Sequence, residues 1–297
     1  DWECAFPAGA RGMKFPVISL GQMLSTLTEF DHVRGDGPVN VWRGATLGMP
    51  TGFVFGSQLV GQAIGVASRL DPTQPVRSIH LTFVKPVPDT GSVEFTVTTL
   101  HGGKQYATQR VEVIQPGRDG RPEVAVTATV VSHRDAPGIE HGAEFPADAG
   151  APGDGRPVAT ISLPGEQRVV GSTDLDDATV QPNRYLVWAR MPEALPDAPA
   201  AHQALLSFAS ELPLIGTSLL QHTGWSQADA HVGLRTAVLT HQMVFHRPFR
   251  YDDWLLLSHT SPAASGGSSY GRSDIFDAAG AHVASVSQEA MVRVAKP

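Results

Sequence analysis

Apolar residues along the chain change period twice, from a helical repeat to a strand repeat. Within residues 57–70, Leu59, Val60, Ala63, Ile64, Val66 and Ala67 recur at i, i+3 and i+4, which predicts an amphipathic helix. Gly61, Ala63, Gly65, Ala67 and Ser68 keep that helix slim enough for a sheet to wrap it closely. Strand-like runs follow at 76–86, 92–100, 105–114 and 123–132. A second helix is predicted at 199–212, with Ala204, Leu205, Phe208 and Leu212 on its buried side; residues 214–221 continue or restart it after Pro213. Runs at 238–248, 254–258, 269–276 and 282–294 complete the second succession.

The two successions form a weak internal repeat. Phe83-Val84-Lys85-Pro86 matches Phe245-His246-Arg247-Pro248 at an offset of 162 residues. Glycine-marked turns stand before the last run of each, at 115–120 and 277–280. Each half therefore reads as one helix against a long antiparallel meander, an α+β unit. Between the halves, residues 134–172 carry five prolines and seven glycines and no apolar period, which reads as a linker too long for an ordinary loop.

Composition fits two units. A chain of 297 residues corresponds to about two domains of typical size. With 41% apolar and 17% charged residues it can bury a sizeable core, which excludes disorder. A net charge of -7 argues against a general nucleic-acid binder. Cys4 is the single cysteine, so neither an intrachain disulfide nor a thiolate zinc cluster can form. No apolar run approaches the ~18 residues of a membrane helix, and no basic-then-apolar secretion signal opens the chain. The expectation is a soluble, cytoplasmic protein. The expected bounds are a leader or tag-like segment at 1–18, a first unit at 19–133, a linker at 134–183 and a second unit at 184–297.

Four motifs carry a family resemblance. They are Phe53-Val54-Phe55-Gly56-Ser57-Gln58-Leu59-Val60-Gly61-Gln62-Ala63, Ser207-Phe208-Ala209-Ser210-Glu211, His241-Gln242-Met243-Val244-Phe245-His246-Arg247-Pro248-Phe249, and Ser285-Val286-Ser287-Gln288-Glu289-Ala290. In this order, and over about residues 44–294, they resemble the acyl-CoA thioesterase II family. The resemblance implies an α+β double hotdog fold, two tandem helix-wrapped antiparallel sheets forming one pseudo-dimeric body. It implies hydrolysis of acyl-CoA to a free acid and CoA, in lipid metabolism, with no cofactor; the residues themselves show no His-x-Glu or His-Glu-x-x-His pattern, so no metal is expected. It also implies a homo-oligomer, dimer or tetramer. The family site combines an Asp on the central helix, a Thr on the following strand and a Gln near the last strand. Those positions fall on Glu211, Val238 and Gln288, so two of three depart from the pattern.

Each position has a chemical rationale and a plainer alternative. Thioester hydrolysis needs a held water, a base and donors for the oxyanion. Glu211 is the candidate base; alternatively it is a solvated helix-end carboxylate. Gln288 shares a strand face with Val286 and Ala290 and can orient a water through either end of its amide, or bond only to neighbouring backbone. Val238 cannot hydrogen-bond, so by strand alternation Thr240, about 6–7 Å along the strand, is the candidate stand-in. Gly56 and Ser57 open the first helix and are expected to face the substrate carbonyl, with Val238 walling the same pocket. Thr129 is the expected counterpart of Gln288 in a first-half pocket without a base, so only the second half is expected to do chemistry. Arg247, with Lys85 and Arg250, is the candidate for CoA phosphates; salt-bridged surface residues are the alternative. His80 and His241 take near-equivalent repeat positions, which suggests packing. His101, His133, His222, His231, His259 and His282 are expected in turns and at strand ends. Two rivals remain: a non-catalytic acyl-CoA binding protein with a degenerate site, motivated by Val238, and an enoyl-thioester hydratase, for which no Asp/His pair is found.

Overall fold

The computed structural model describes residues 16–159, 164–230 and 233–295. Most of the expected leader, and His231, lie outside these. The chain opens with α1 (Leu20–Thr28), whose first turn is capped by the Ser19 side chain accepting from Gln22 N at 3.2 Å. Strands β1 (Asp31–Arg34) and β2 (Val39–Ala45) follow, then α2 (Gly56–Ala67), β3 (Val76–Phe83), β4 (Ser92–Gly102), β5 (Tyr106–Pro116) and β6 (Pro122–His133). The second half contains β7 (Arg156–Val158), β8 (Glu166–Val169), β9 (Tyr185–Arg190), α3 (Pro199–Leu219), β10 (Leu234–Phe245), β11 (Leu255–Ser265), β12 (Ser268–Asp277) and β13 (His282–Val294).

Among the described residues the strands join one antiparallel sheet of 13, in the order β1-β2-β4-β5-β6-β3-β10-β13-β12-β11-β9-β8-β7. The halves meet where β3 pairs β10, with Thr82 opposite Thr240 and Ser78 opposite Val244. His80 faces Gln242 in that ladder. These two residues are one repeat offset apart, so the pseudo-twofold axis passes between them. The α+β double hotdog expectation is met, with the two sheets fused edge to edge.

Alternation explains which strand residues enter the core. Val93, Phe95 and Val97 of β4 and Val111 and Val113 of β5 are buried while their neighbours are not. The helices are different: α2 is buried on every side from Ser57 to Ala67. Its glycines permit this. A Cβ on Gly61 would lie 3.0 Å from the Ala204 carbonyl of α3, and one on Gly65 would collide with the Leu27 carbonyl of α1.

Of the two alternatives for residues after Pro213, the helix continues, running to Leu219. Several expectations need correction. The stretch read as a linker contributes β7 and β8, which extend the sheet beyond β9. Helix α1 and strands β1 and β2 were not anticipated. His259 sits in the middle of β11, fully buried, and not in a turn. No helix among the described residues is long and apolar enough to cross a membrane.

Candidate active site

Glu211 occupies the second half of α3 and is only 4% exposed. It has no cation beside it. Its carboxylate lies at the N-terminus of α2, with Oε1 2.8 Å from where a Cβ on Gly56 would stand. The first N–H groups of a helix lack intrahelical acceptors and carry partial positive charge, so this end receives an anion well. Burial pushes the Glu211 carboxyl up to about 7, against the pull of the Ser57 hydroxyl and backbone N–H. The Ser57 oxygen is itself fully buried and makes no well-formed hydrogen bond. The second half thus supplies the carboxylate and the first half the helix terminus it meets, at the Gly56 and Ser57 positions expected to face the substrate carbonyl.

Gln288 lies on β13 directly beneath α3, 2% exposed. Its Nε2 donates to the Glu211 backbone carbonyl at 3.3 Å, and its Oε1 is 2.9 Å from His241 Nδ1. The first contact fixes which end of the amide is which. His241 must then donate from Nδ1, leaving Nε2 as an unprotonated acceptor. That nitrogen is buried without a partner, and burial pushes the ring down to about 4, so it is neutral at pH 7. Gln288 thus ties the α3 segment carrying Glu211 to β10.

The register of β10 decides which residues join them. A bulge between Val238 and Thr240 interrupts the pairing with β13, so His241, not Thr240, faces Gln288. Thr240 turns to the other face and donates to the exposed Glu289 carboxylate at 3.1 Å. The sequence expectation assumed unbroken alternation, and the bulge overturns it. Val238 is half-buried and packs against the core. His241 was missed as a site residue. Its signal was the repeat offset, which pairs it with Ile79, a fully buried residue, while His80 is exposed and pairs with Gln242. By the same ladder Gln288 corresponds to Val130, not Thr129: Ile79 faces Val130 as His241 faces Gln288.

The expected phosphate ligands also bond to protein groups. Arg247 Nη1 donates to the His282 carbonyl at 2.8 Å, and its Nη2 is 3.8 Å from Glu140. Lys85 pairs with Glu123, and Arg250 with Asp197 and Asp252. Two cavities flank α3. One of about 200 Å³ is walled by Phe208, Ala209, Leu212 and Pro213 against Tyr185 and Val169. The other, about 210 Å³, lies at the helix start between Val76, Gln203, Phe245 and Phe249, with Arg247 and Arg250 on its wall. Neither is lined by Glu211 itself, although its neighbour Leu212 walls the first. Among the described residues no three His, Cys, Asp or Glu side chains gather as metal ligands.

The chain as a whole matches known proteins. Residues 45–133 match the family model described as the acyl-CoA thioesterase N-terminal domain, and residues 136–292 match the acyl-CoA thioesterase C-terminal domain. Acyl-CoA thioesterase 2 of Haemophilus influenzae is 25% identical over 272 residues, covering 85% of this chain and 92% of the relative. The crystal structure of an acyl-CoA thioesterase II, TesB2, from Mycobacterium marinum superposes with a TM-score of 0.74 at 28% identity, covering 94% of this chain and 99% of that one. A hot dog fold protein of unknown function from Alicyclobacillus acidocaldarius shares the fold alone, with a TM-score of 0.68 at 15% identity over 92% of this chain and 98% of that one.

Proposed function

The chain belongs to the acyl-CoA thioesterase family, and we propose that Glu211 is the base of its reaction. That reaction is the hydrolysis of an acyl-CoA thioester to a carboxylic acid and CoA. In the proposed step Glu211 takes a proton from water as the water oxygen bonds to the thioester carbonyl carbon. The carbonyl oxygen becomes an oxyanion at the N-terminus of α2, facing the Gly56 N–H, while the Ser57 N–H stays on Glu211. When the intermediate collapses, the carbon–sulfur bond breaks and the thiolate of CoA takes the proton held by Glu211. No group besides these is needed, because a thiolate leaves readily.

The observation that carries this reading is a buried carboxylate without a counter-cation, set against a helix N-terminus, with a pKa near the working pH. Gln288 and His241 support it as the frame that holds α3 over the sheet. The same intact frame favours catalysis over a purely binding role, despite Val238. Glu211→Gln tests it. Release of CoA, followed with a thiol-reactive dye, is expected to fall by about 10²–10⁴-fold in kcat; an unchanged kcat removes Glu211 from the mechanism. Cytoplasmic residence, a place in fatty-acid metabolism and a dimer or tetramer belong to the same proposal. The open sheet edges at β1 and β7 support the last.

A further inference from the structure

The sheet beneath α3 is polar where a core is usually apolar. One row crosses five strands in register: Tyr185 on β9, His259 on β11, Ser273 on β12, Val286 on β13 and Met243 on β10. It runs on the same face as Gln288 and His241 and lies one side chain further along their strands. His259 is fully buried and Ser273 is 1% exposed. Neither ring nitrogen of His259 has a hydrogen-bond partner, and neither has the Ser273 hydroxyl, although the two residues face each other across the ladder. Buried polar atoms are almost always satisfied, so three orphans on adjacent residues mark a place where something else supplies the bonds.

The surroundings say what that is. The His259 ring stacks on Tyr185 at 6.0 Å between centroids, and Tyr185 walls the cavity of about 200 Å³ beside Phe208, Ala209 and Leu212. The row thus leads from that cavity toward Gln288, three strand separations or about 14 Å away. Burial holds His259 neutral, its pKa pushed down to about 3, so the ring offers one N–H and one lone pair. Ser273 likewise donates and accepts. The complement is an uncharged group that does both, a hydroxyl, because a neutral imidazole gives no charge to a buried carboxylate.

We propose that His259 and Ser273 form a subsite for a hydroxyl on the acyl chain, which makes mid-chain hydroxylated acyl-CoAs the preferred substrate class. The subsite rests on the thioesterase reading of Glu211 only for the direction from which the chain enters. The same hydroxyl chemistry can come from a trapped water, and the test separates the two sources.

Lauric acid and its monohydroxylated isomers are titrated into the protein by calorimetry, and their CoA esters are compared for kcat/KM. One mid-chain isomer is expected to bind about tenfold tighter than lauric acid, and its ester to gain a similar factor in kcat/KM. In Ser273→Ala and in His259→Phe, the ratio between that isomer and lauric acid is expected to fall toward one. Lauric acid binding serves in each variant as the internal check that the fold is intact. Isomers that all bind no tighter than lauric acid overturn the proposal. So does a preference that survives both substitutions, since the pair then holds only water. Preferential binding of one isomer with no hydrolysis of any ester upholds the subsite and removes the thioesterase reading instead.

Discussion

Glu211 pays for its position in stability, and that gives a measurement independent of turnover. Its carboxyl is raised by burial from 4.5 to about 7 in the folded chain. A raised pKa favours folding fully below the unfolded value, and that contribution is lost as pH climbs through the folded one. Wild-type stability is therefore expected to decline between about pH 4.5 and pH 7 and then level off. Glu211→Gln removes that decline, so the variant is expected to be the more stable at pH 8, by on the order of 3 kcal/mol, in urea unfolding. Turnover runs the other way. The proposed base works ionised, so wild-type kcat/KM is expected to rise through pH 7.

Gly56 tests the contact without touching the carboxylate. Its Cβ would stand 2.8 Å from Glu211 Oε1 and 3.2 Å from the Phe83 ring, so Gly56→Ala displaces the base while adding a better helix former. A lower kcat at an unchanged or higher melting temperature is expected; full activity removes the contact from the mechanism. Thr240→Val probes the opposite prediction. Its hydroxyl serves only Glu289 on the outer face, so turnover is expected to stay within about twofold. Legibility differs sharply between these residues. Glu211 and Gln288 could be placed from motif order, because each lies in a regular element. Thr240 could not, because one extra residue near Leu239 reverses the face of everything around it, and a bulge leaves no mark in an apolar/polar pattern.

At the scale of elements, long and strongly periodic segments were readable and short ones were not. The runs that became β4, β5, β6 and β13 were predicted within two residues of their observed ends. By contrast β7 and β8 span three and four residues and sit among prolines and glycines. Their strand character comes from pairing, β8 with β9 and β7 with β8, not from composition. The C-terminal part of β11 was missed for a related reason: Pro262 lies where its ladder with β12 shifts between Thr260 and Ala263, and the residues beyond are exposed. Helix α2 shows what the small residues are for. A Cβ at position 65 meets a backbone carbonyl of α1, which cannot swing aside as a side chain does. Gly65→Ala is expected to cost about 1–3 kcal/mol by overpacking, read from urea unfolding, although alanine is the better helix former. No loss of stability there removes the close-approach argument.

At the scale of the whole molecule, the halves are held by more than the chain that links them. Ladder pairs run from Thr82–Thr240 to Ser78–Val244 across the junction. Gln203 Nε2 donates to the Val76 carbonyl at 2.7 Å, and Arg77 Nη1 to the His246 carbonyl at 2.9 Å. The Glu211 carboxylate of α3 meets the N-terminus of α2 across the same junction. Residues 134–140 are exposed and carry no helix or strand. None of them is a hydrogen-bond partner of Glu211, Gln288 or His241, so cutting there separates covalent continuity from noncovalent assembly. A protease site placed between Asp135 and Gly138 and cleaved in the folded protein is expected to leave two fragments that co-elute and still hydrolyse acyl-CoA. Dilution does not separate them easily, because parting the β3–β10 edge exposes unpaired backbone groups and the apolar sides of both helices at once. Fragments that part on a sizing column while either one alone keeps full turnover would show that the site is not shared between halves.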